Sequence, residues 1–122
     1  MTRCIIVDGS SVVRKVAKRI LTTPQDVIQE AESGQEALQA LKISSPDIIF
    51  VDGSLPDLDL TEFITKVRTI CELAQPSIVV MLTEMDLVKM TKAKRAGADN
   101  YLLKPFDREQ LMSRVEKLNE AA

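Results

Sequence analysis

Apolar and polar positions alternate along this chain in blocks, and four of the apolar blocks stop on a residue suited to handling phosphate. Cys4-Ile5-Ile6-Val7 ends on Asp8, Ile48-Ile49-Phe50-Val51 on Asp52, Ile78-Val79-Val80-Met81-Leu82 on Thr83, and Tyr101-Leu102-Leu103 on Lys104. Runs this short, rich in Ile and Val and separated by helix-length stretches, predict strands covered on both faces of a parallel sheet. Strands are expected near 3–8, 27–31, 47–52, 77–83 and 100–103, with right-handed crossovers between them. Helical spacing fills the gaps. Val12, Val13, Val16, Ala17, Ile20 and Leu21 form one stripe, and Ala37, Leu38 and Leu41 a second behind the capping box Ser33-x-x-Glu36. Leu60, Phe63, Ile64, Val67, Cys71 and Ala74 repeat behind Asp59-x-x-Glu62, and Leu111, Met112, Val115 and Leu118 follow an Asp107 N-cap. The fourth helix, about Asp86 to Ala96, has a thin apolar stripe and ends at Gly97.

The elements read as a doubly wound five-stranded α/β domain spanning residues 1–122, with no linker dividing it. At 122 residues there is enough chain for one core. A composition of 45% hydrophobic and 28% charged residues with a net charge of -2 argues against nonspecific nucleic-acid binding. Cys4 and Cys71 carry no Cys-rich spacing and read as reduced, half-buried thiols of a cytoplasmic protein. A first strand starting beside Met1 leads us to expect no signal segment, and no membrane partner is expected either. With no His and no paired Cys motif, the sequence argues against a zinc site.

In open α/β sheets ligands bind beyond the carboxyl ends of the strands, where these four polar residues converge. Asp52, ending the middle strand in chain order, can act as a nucleophile and form an acyl phosphate. Asp8 would set a second carboxylate nearby for Mg²⁺, Lys104 would supply a point charge for phosphoryl oxygens, and Thr83 a hydroxyl donor. Taken singly, each residue has a plainer role. A strand-end Asp is often a turn residue, Thr83 could cap the fourth helix, and Lys104 could be a solvated charge. Lys89, Lys92, Lys94 and Arg95 would by default be a solvated helix face. Val-Asp-Gly-Ser occurs at 7–10 and again at 51–54, as expected where two buried strands end in similar turns.

Asp8, Asp52 with Pro56, Thr83 and the stretch Gly97-Ala98-Asp99-Asn100-Tyr101-Leu102-Leu103-Lys104-Pro105-Phe106 together resemble the receiver domain of two-component response regulators, of the CheY-like single-domain type. The resemblance covers the whole chain. It implies the strand order 2-1-3-4-5, known for CheY itself and taken over rather than derived, and a cis peptide at Lys104-Pro105. It also implies a phosphorylation switch. Asp52 accepts phosphoryl from a histidine kinase or phosphotransfer protein, Mg²⁺ lies among Asp8, Asp52 and Ser54, and Thr83 and Tyr101 reorient. A downstream protein then docks on the face of the fourth helix, fifth strand and fifth helix, which includes Lys89, Lys92, Lys94, Arg95 and Tyr101. A monomer or weak dimer without enzyme activity beyond its own phosphoryl turnover is expected.

Three positions depart from the family. Gly9 stands where the family has a second acid, Glu84 where a small residue follows the switch Thr, and Leu60 where Gly is usual. Gly9 predicts weakened Mg²⁺ binding, Glu84 a carboxylate that crowds or repels an incoming phosphoryl group, and Leu60 a rebuilt loop after Asp52. The first two support an alternative, a pseudo-receiver acting as a phosphorylation-independent interaction module. A small aspartyl-phosphate phosphohydrolase is the third reading. It would need a second acid two residues from the nucleophile, where Phe50 and Ser54 stand.

Overall fold

A computed structural model describes residues 2–121, with side chains of the last helix described as far as Leu118. Strands β1 Arg3–Val7, β2 Val27–Ala31, β3 Ile48–Asp52, β4 Ser77–Leu82 and β5 Asn100–Leu103 alternate with helices α1 Ser11–Leu21, α2 Gly34–Leu41, α3 Leu60–Ile70, α4 Leu87–Ala96 and α5 Arg108–Ala121. All strand pairs are parallel, in the order β2-β1-β3-β4-β5. Asp8 and Thr83 lie just past their strands, so β1 and β4 end with their apolar runs, one residue before the expected bounds at 8 and 83.

Alternation along the strands sorts the core into two layers. Ile5, Val7, Ile49, Val51, Ile78 and Val80 face Leu38, Leu41, Phe63, Ile64, Val67 and Ala93 of α2, α3 and α4. Cys4, Ile6, Phe50, Val79, Met81 and Leu102 face Ala17, Leu21 and Leu111 of α1 and α5. Both cysteines are fully buried rather than half-buried. Burial, followed by the nearby charges of Asp26 and Asp47, pushes the Cys4 thiol up to about 12, which leaves it unreactive.

Two apolar stripes prove narrower than their periodicity suggests. On α1, Val12 and Val16 are 70% and 41% exposed, because Ala17 and Leu21 set the face that meets the sheet. The stripe of α3 stops at its C-cap Cys71, and Ala74 lies beyond the helix, exposed. Capping also differs in detail. Asp59 accepts from Thr61 N–H rather than from Glu62, whereas Asp107 and Gln110 form a reciprocal box in which each side chain accepts the other's backbone N–H.

A half-buried arginine closes the far side of α4. Arg68 donates to Pro76 O, Gly97 O and Asp99 Oδ2, and Asp99 Oδ2 also accepts the Ile78 N–H that starts β4. Gly97 takes φ 125 there, and a Cβ on it would come within 2.8 Å of the Arg68 side chain. Only Gly satisfies both demands. Among the described residues no helix is long and apolar enough to cross a membrane.

Candidate functional site

Strand register builds the site. Val7 pairs with Val51, Val51 with Val80 and Val80 with Tyr101, so Asp8, Asp52, Met81 and Leu102 stand at one level of the carboxyl edge. Thr83 and Lys104 come two residues later on β4 and β5, about 7 Å beyond that level, and Lys104 reaches back across it. Its Nζ lies 2.8 Å from Asp8 Oδ2 and 3.3 Å from Asp52 Oδ1. Lys104-Pro105 is a cis peptide.

Each aspartate also serves its turn. Asp8 Oδ1 accepts the Ser10 N–H at 2.8 Å, and Asp52 Oδ1 accepts the Ser54 N–H at 3.0 Å. The repeated Val-Asp-Gly-Ser is therefore the same Asx turn made twice. The plain role and the chemical one coexist in these residues. Asp8 is 2% exposed and has both oxygens engaged. Asp52 keeps a side-chain exposure of 16% and opens onto a cleft of about 230 Å³ lined by Thr83, Glu84, Asp86, Lys89 and Lys104. Thr83 is not the cap of α4, since Asp86 holds that position through the Lys89 N–H.

Electrostatics fixes the charge of Lys104. Burial alone draws its ammonium down, but the hydrogen bond to Asp8 and the charges of Asp52 and Asp8 outweigh it, and its pKa lies above the ordinary lysine range. The residue is thus a cation held by two carboxylates, not a solvated surface charge. Asp8 is braced in turn by Arg14, whose Nη1 donates to the Asp8 carbonyl at 2.7 Å while Nε pairs with Glu30. Nothing local in the sequence marks Arg14 for that task.

For a hard cation the donors are right in kind and few in number. Mg²⁺ binds through one or two carboxylates together with phosphate and water oxygens, which Asp8 and Asp52 suit. Among the described residues no group of three His, Cys, Asp or Glu side chains converges on a metal position. Gly9 leaves room for the missing acid, because a Cβ there would have only Glu32 O nearby, at 3.9 Å.

The four cations of α4 do not form one patch. Lys89 turns inward and donates from Nζ to the Ser54 hydroxyl at 3.1 Å, while Lys92 lines a neighbouring cleft with Leu58 and Thr61. At 100° per residue Lys94 lies on the opposite flank. Tyr101 is half-buried, its hydroxyl donates to Met90 O at 2.6 Å, and burial pushes its pKa up. Arg114 of α5 ties in from the other side, donating to Tyr101 O at 2.7 Å. Leu60 is 6% exposed and packs in the core as the first residue of α3.

Residues 4–116 match the family model of the response regulator receiver domain. The chain is 31% identical over 112 residues to the chemotaxis protein CheY of Halobacterium salinarum, covering 91% of both chains. It is 30% identical over 117 residues to CheY of Bacillus subtilis, covering 94% of this chain and 95% of that one. Among solved structures it is similar to the chemotaxis response regulator CheY4 of Vibrio cholerae, with a TM-score of 0.87 and 27% identity over 97% of this chain and 98% of that one. A two-component response regulator from Clostridium difficile superposes with a TM-score of 0.89 and 26% identity, covering 98% and 97% of the two chains.

Proposed function

The chain belongs to the response regulator receiver family, and from that premise we propose that it is a phosphorylation switch in which Asp52 is the acceptor. Receivers of this kind are generally non-enzymatic domains of two-component signalling that work with kinases and downstream targets. The observation that carries the proposal is the contact of one ammonium, Lys104, with two carboxylates 96 and 52 residues away in the chain, beside an open cleft.

In the proposed reaction an Asp52 carboxylate oxygen attacks the phosphorus of a phosphohistidine or a small acyl phosphate. A new O–P bond forms as the donor's P–N or P–O bond breaks, and the electron pair leaves with the donor. Lys104 offsets charge on the phosphoryl oxygens and Thr83 supplies a hydroxyl to another. When bound, Mg²⁺ would add positive charge beside the phosphoryl group, held by Asp8, Asp52 and the Ser54 backbone. The protein then signals by docking a partner on the face built from α4, β5 and α5, with Lys94, Arg95 and Tyr101 on that surface, while Lys92 opens toward α3. Tyr101 supports this role because its hydroxyl already joins β5 to α4.

One observation favours the pseudo-receiver: Gly9 stands where a second acid would follow Asp8, and among the described residues no three acids converge on a metal position. Intact-mass measurement after incubation with a small acyl phosphate, with and without Mg²⁺, separates the readings. A gain of one phosphoryl, lost in Asp52→Asn, is expected of the switch. No gain at saturating donor and Mg²⁺ would leave the interaction module standing, and steady turnover of added phosphoesters would point to a phosphohydrolase instead.

A further inference from the structure

Two clefts meet at Lys89. It lines the acceptor cleft of about 230 Å³ with Asp52 and Lys104, and the wall of a second cleft of about 390 Å³ that runs past Thr61 and Lys92 at the start of α3. Its Nζ has only a neutral hydroxyl to donate to, Ser54 Oγ at 3.1 Å, and among the described residues it enters no salt bridge.

We propose that Lys89 is a second phosphoryl-binding cation, which leaves Ser54 for the phosphoryl group once that group sits on Asp52. The proposal rests on Asp52 being the acceptor. The phosphoryl group carries close to two negative charges where the Asp52 carboxylate carried one, so the site gains about one more, and its single ammonium is already shared by Asp8 and Asp52 at 2.8 and 3.3 Å. Lys104 therefore cannot neutralise the phosphorylated site alone. The acid that would strengthen a metal's hold is replaced by Gly9, and the Glu84 carboxylate lines the same cleft and adds to the negative side. Among the described residues Lys89 is the one other cation lining that cleft. A phosphoryl oxygen is a stronger acceptor than a serine hydroxyl, because the bond is charge-assisted. The flexible four-carbon stem lets the ammonium swing from one to the other without moving the helix backbone far. Lys89 lies at the start of α4, so the exchange carries the state of Asp52 directly into that helix.

Beryllofluoride, an inorganic mimic of the phosphoryl group, tests this without any covalent step. It would be titrated into the wild type, Lys89→Gln and Lys89→Arg at a Mg²⁺ concentration saturating for each, with binding followed by fluorine NMR. Loss of one charge-assisted hydrogen bond predicts affinity weaker by about tenfold or more in Lys89→Gln. Lys89→Arg should restore most of it, and melting temperatures without the anion should agree among all three. Equal affinity in the wild type and Lys89→Gln would overturn the role given to Lys89 while leaving Asp52 as acceptor. Failure of the folded wild type to take up beryllofluoride at all would overturn the Asp52 assignment, and the role of Lys89 with it.

Discussion

The turns at 7–10 and 51–54 have the same four residues and the same Asx hydrogen bond, yet they do opposite work. Asp8 is sealed, with one oxygen on Ser10 N–H and the other on Lys104, and the chain passes straight into α1 with Ser10 as N-cap. Asp52 shares its Lys104 contact and its turn bond on a single oxygen, faces a cleft, and leads into a loop of several residues before α3 begins. Even the glycines part company. Gly9 is exposed beside open space, whereas a Cβ on Gly53 would meet Leu82 Cδ2 at 2.7 Å and Met81 O at 3.1 Å. Local sequence dictates the turn, and neighbouring strands dictate which carboxylate stays free to react.

If the contrast is right, Asp8→Asn should be the more damaging of the two amide substitutions to stability. It removes a buried charge from Lys104, and with Asp52 still paired the loss should be about 2 to 3 kcal/mol. Asp52→Asn, half open to solvent, should lose less than half of that, as measured by urea unfolding. Similar losses would show that the two sites are equally sealed.

A smaller effect separates the glycines. Gly53→Ala should destabilise by about 1 to 2 kcal/mol through overpacking against Leu82, while Gly9→Ala should stay within about 0.5 kcal/mol. The open space at Gly9 also admits an acid, so Gly9→Asp should tighten Mg²⁺ binding by roughly tenfold or more, read by calorimetry. Like-charge repulsion should lower its melting temperature until Mg²⁺ is added. Unchanged Mg²⁺ affinity would mean that Glu84 already stands in for the lost acid.

The smallest effect lies in the loop that only the second turn possesses. Asp57 accepts the Gly34 and Gln35 N–H groups at the start of α2, each at 2.9 Å. Burial is the largest single influence and opposes its ionisation, but those donors together outweigh it and its pKa is lowered. A depressed carboxyl pKa stabilises the fold above the unfolded value, near 4, and the benefit fades as pH falls through the folded value. Asp57→Asn should therefore cost about 0.5 kcal/mol at pH 7, a figure reduced for its exposure to solvent. The difference from wild type should shrink in melts as the pH falls below about 4.

The strands, their order in the sheet and the convergence of Asp8, Asp52, Thr83 and Lys104 were legible because short Ile- and Val-rich runs reveal buried parallel strands, and their last residues must share one edge. Helix faces were harder to read. Periodicity gives the width of a stripe but not the rotation at which a helix settles, so Val12 and Val16 were expected inward and Lys89 outward, and both expectations reversed. Long-range partners left no local trace. Arg68 meets Gly97 and Asp99 across 29 and 31 residues, and the only hint was the Gly97-Ala98-Asp99 motif awaiting a partner.

That arginine gives α4 the mechanics of a lever. Its far end is clamped where Arg68 grips Gly97 and Asp99, whereas Leu87 and Val88 at the near end are 71% and 67% exposed and tether nothing to the core. A helix of 10 residues is about 15 Å long. A pull of about 2 Å at Lys89, about 10 Å from Ala96 along the helix, would thus tilt it by roughly 11° around an almost stationary fulcrum, with the greatest sweep beside the acceptor and the least at Ala96.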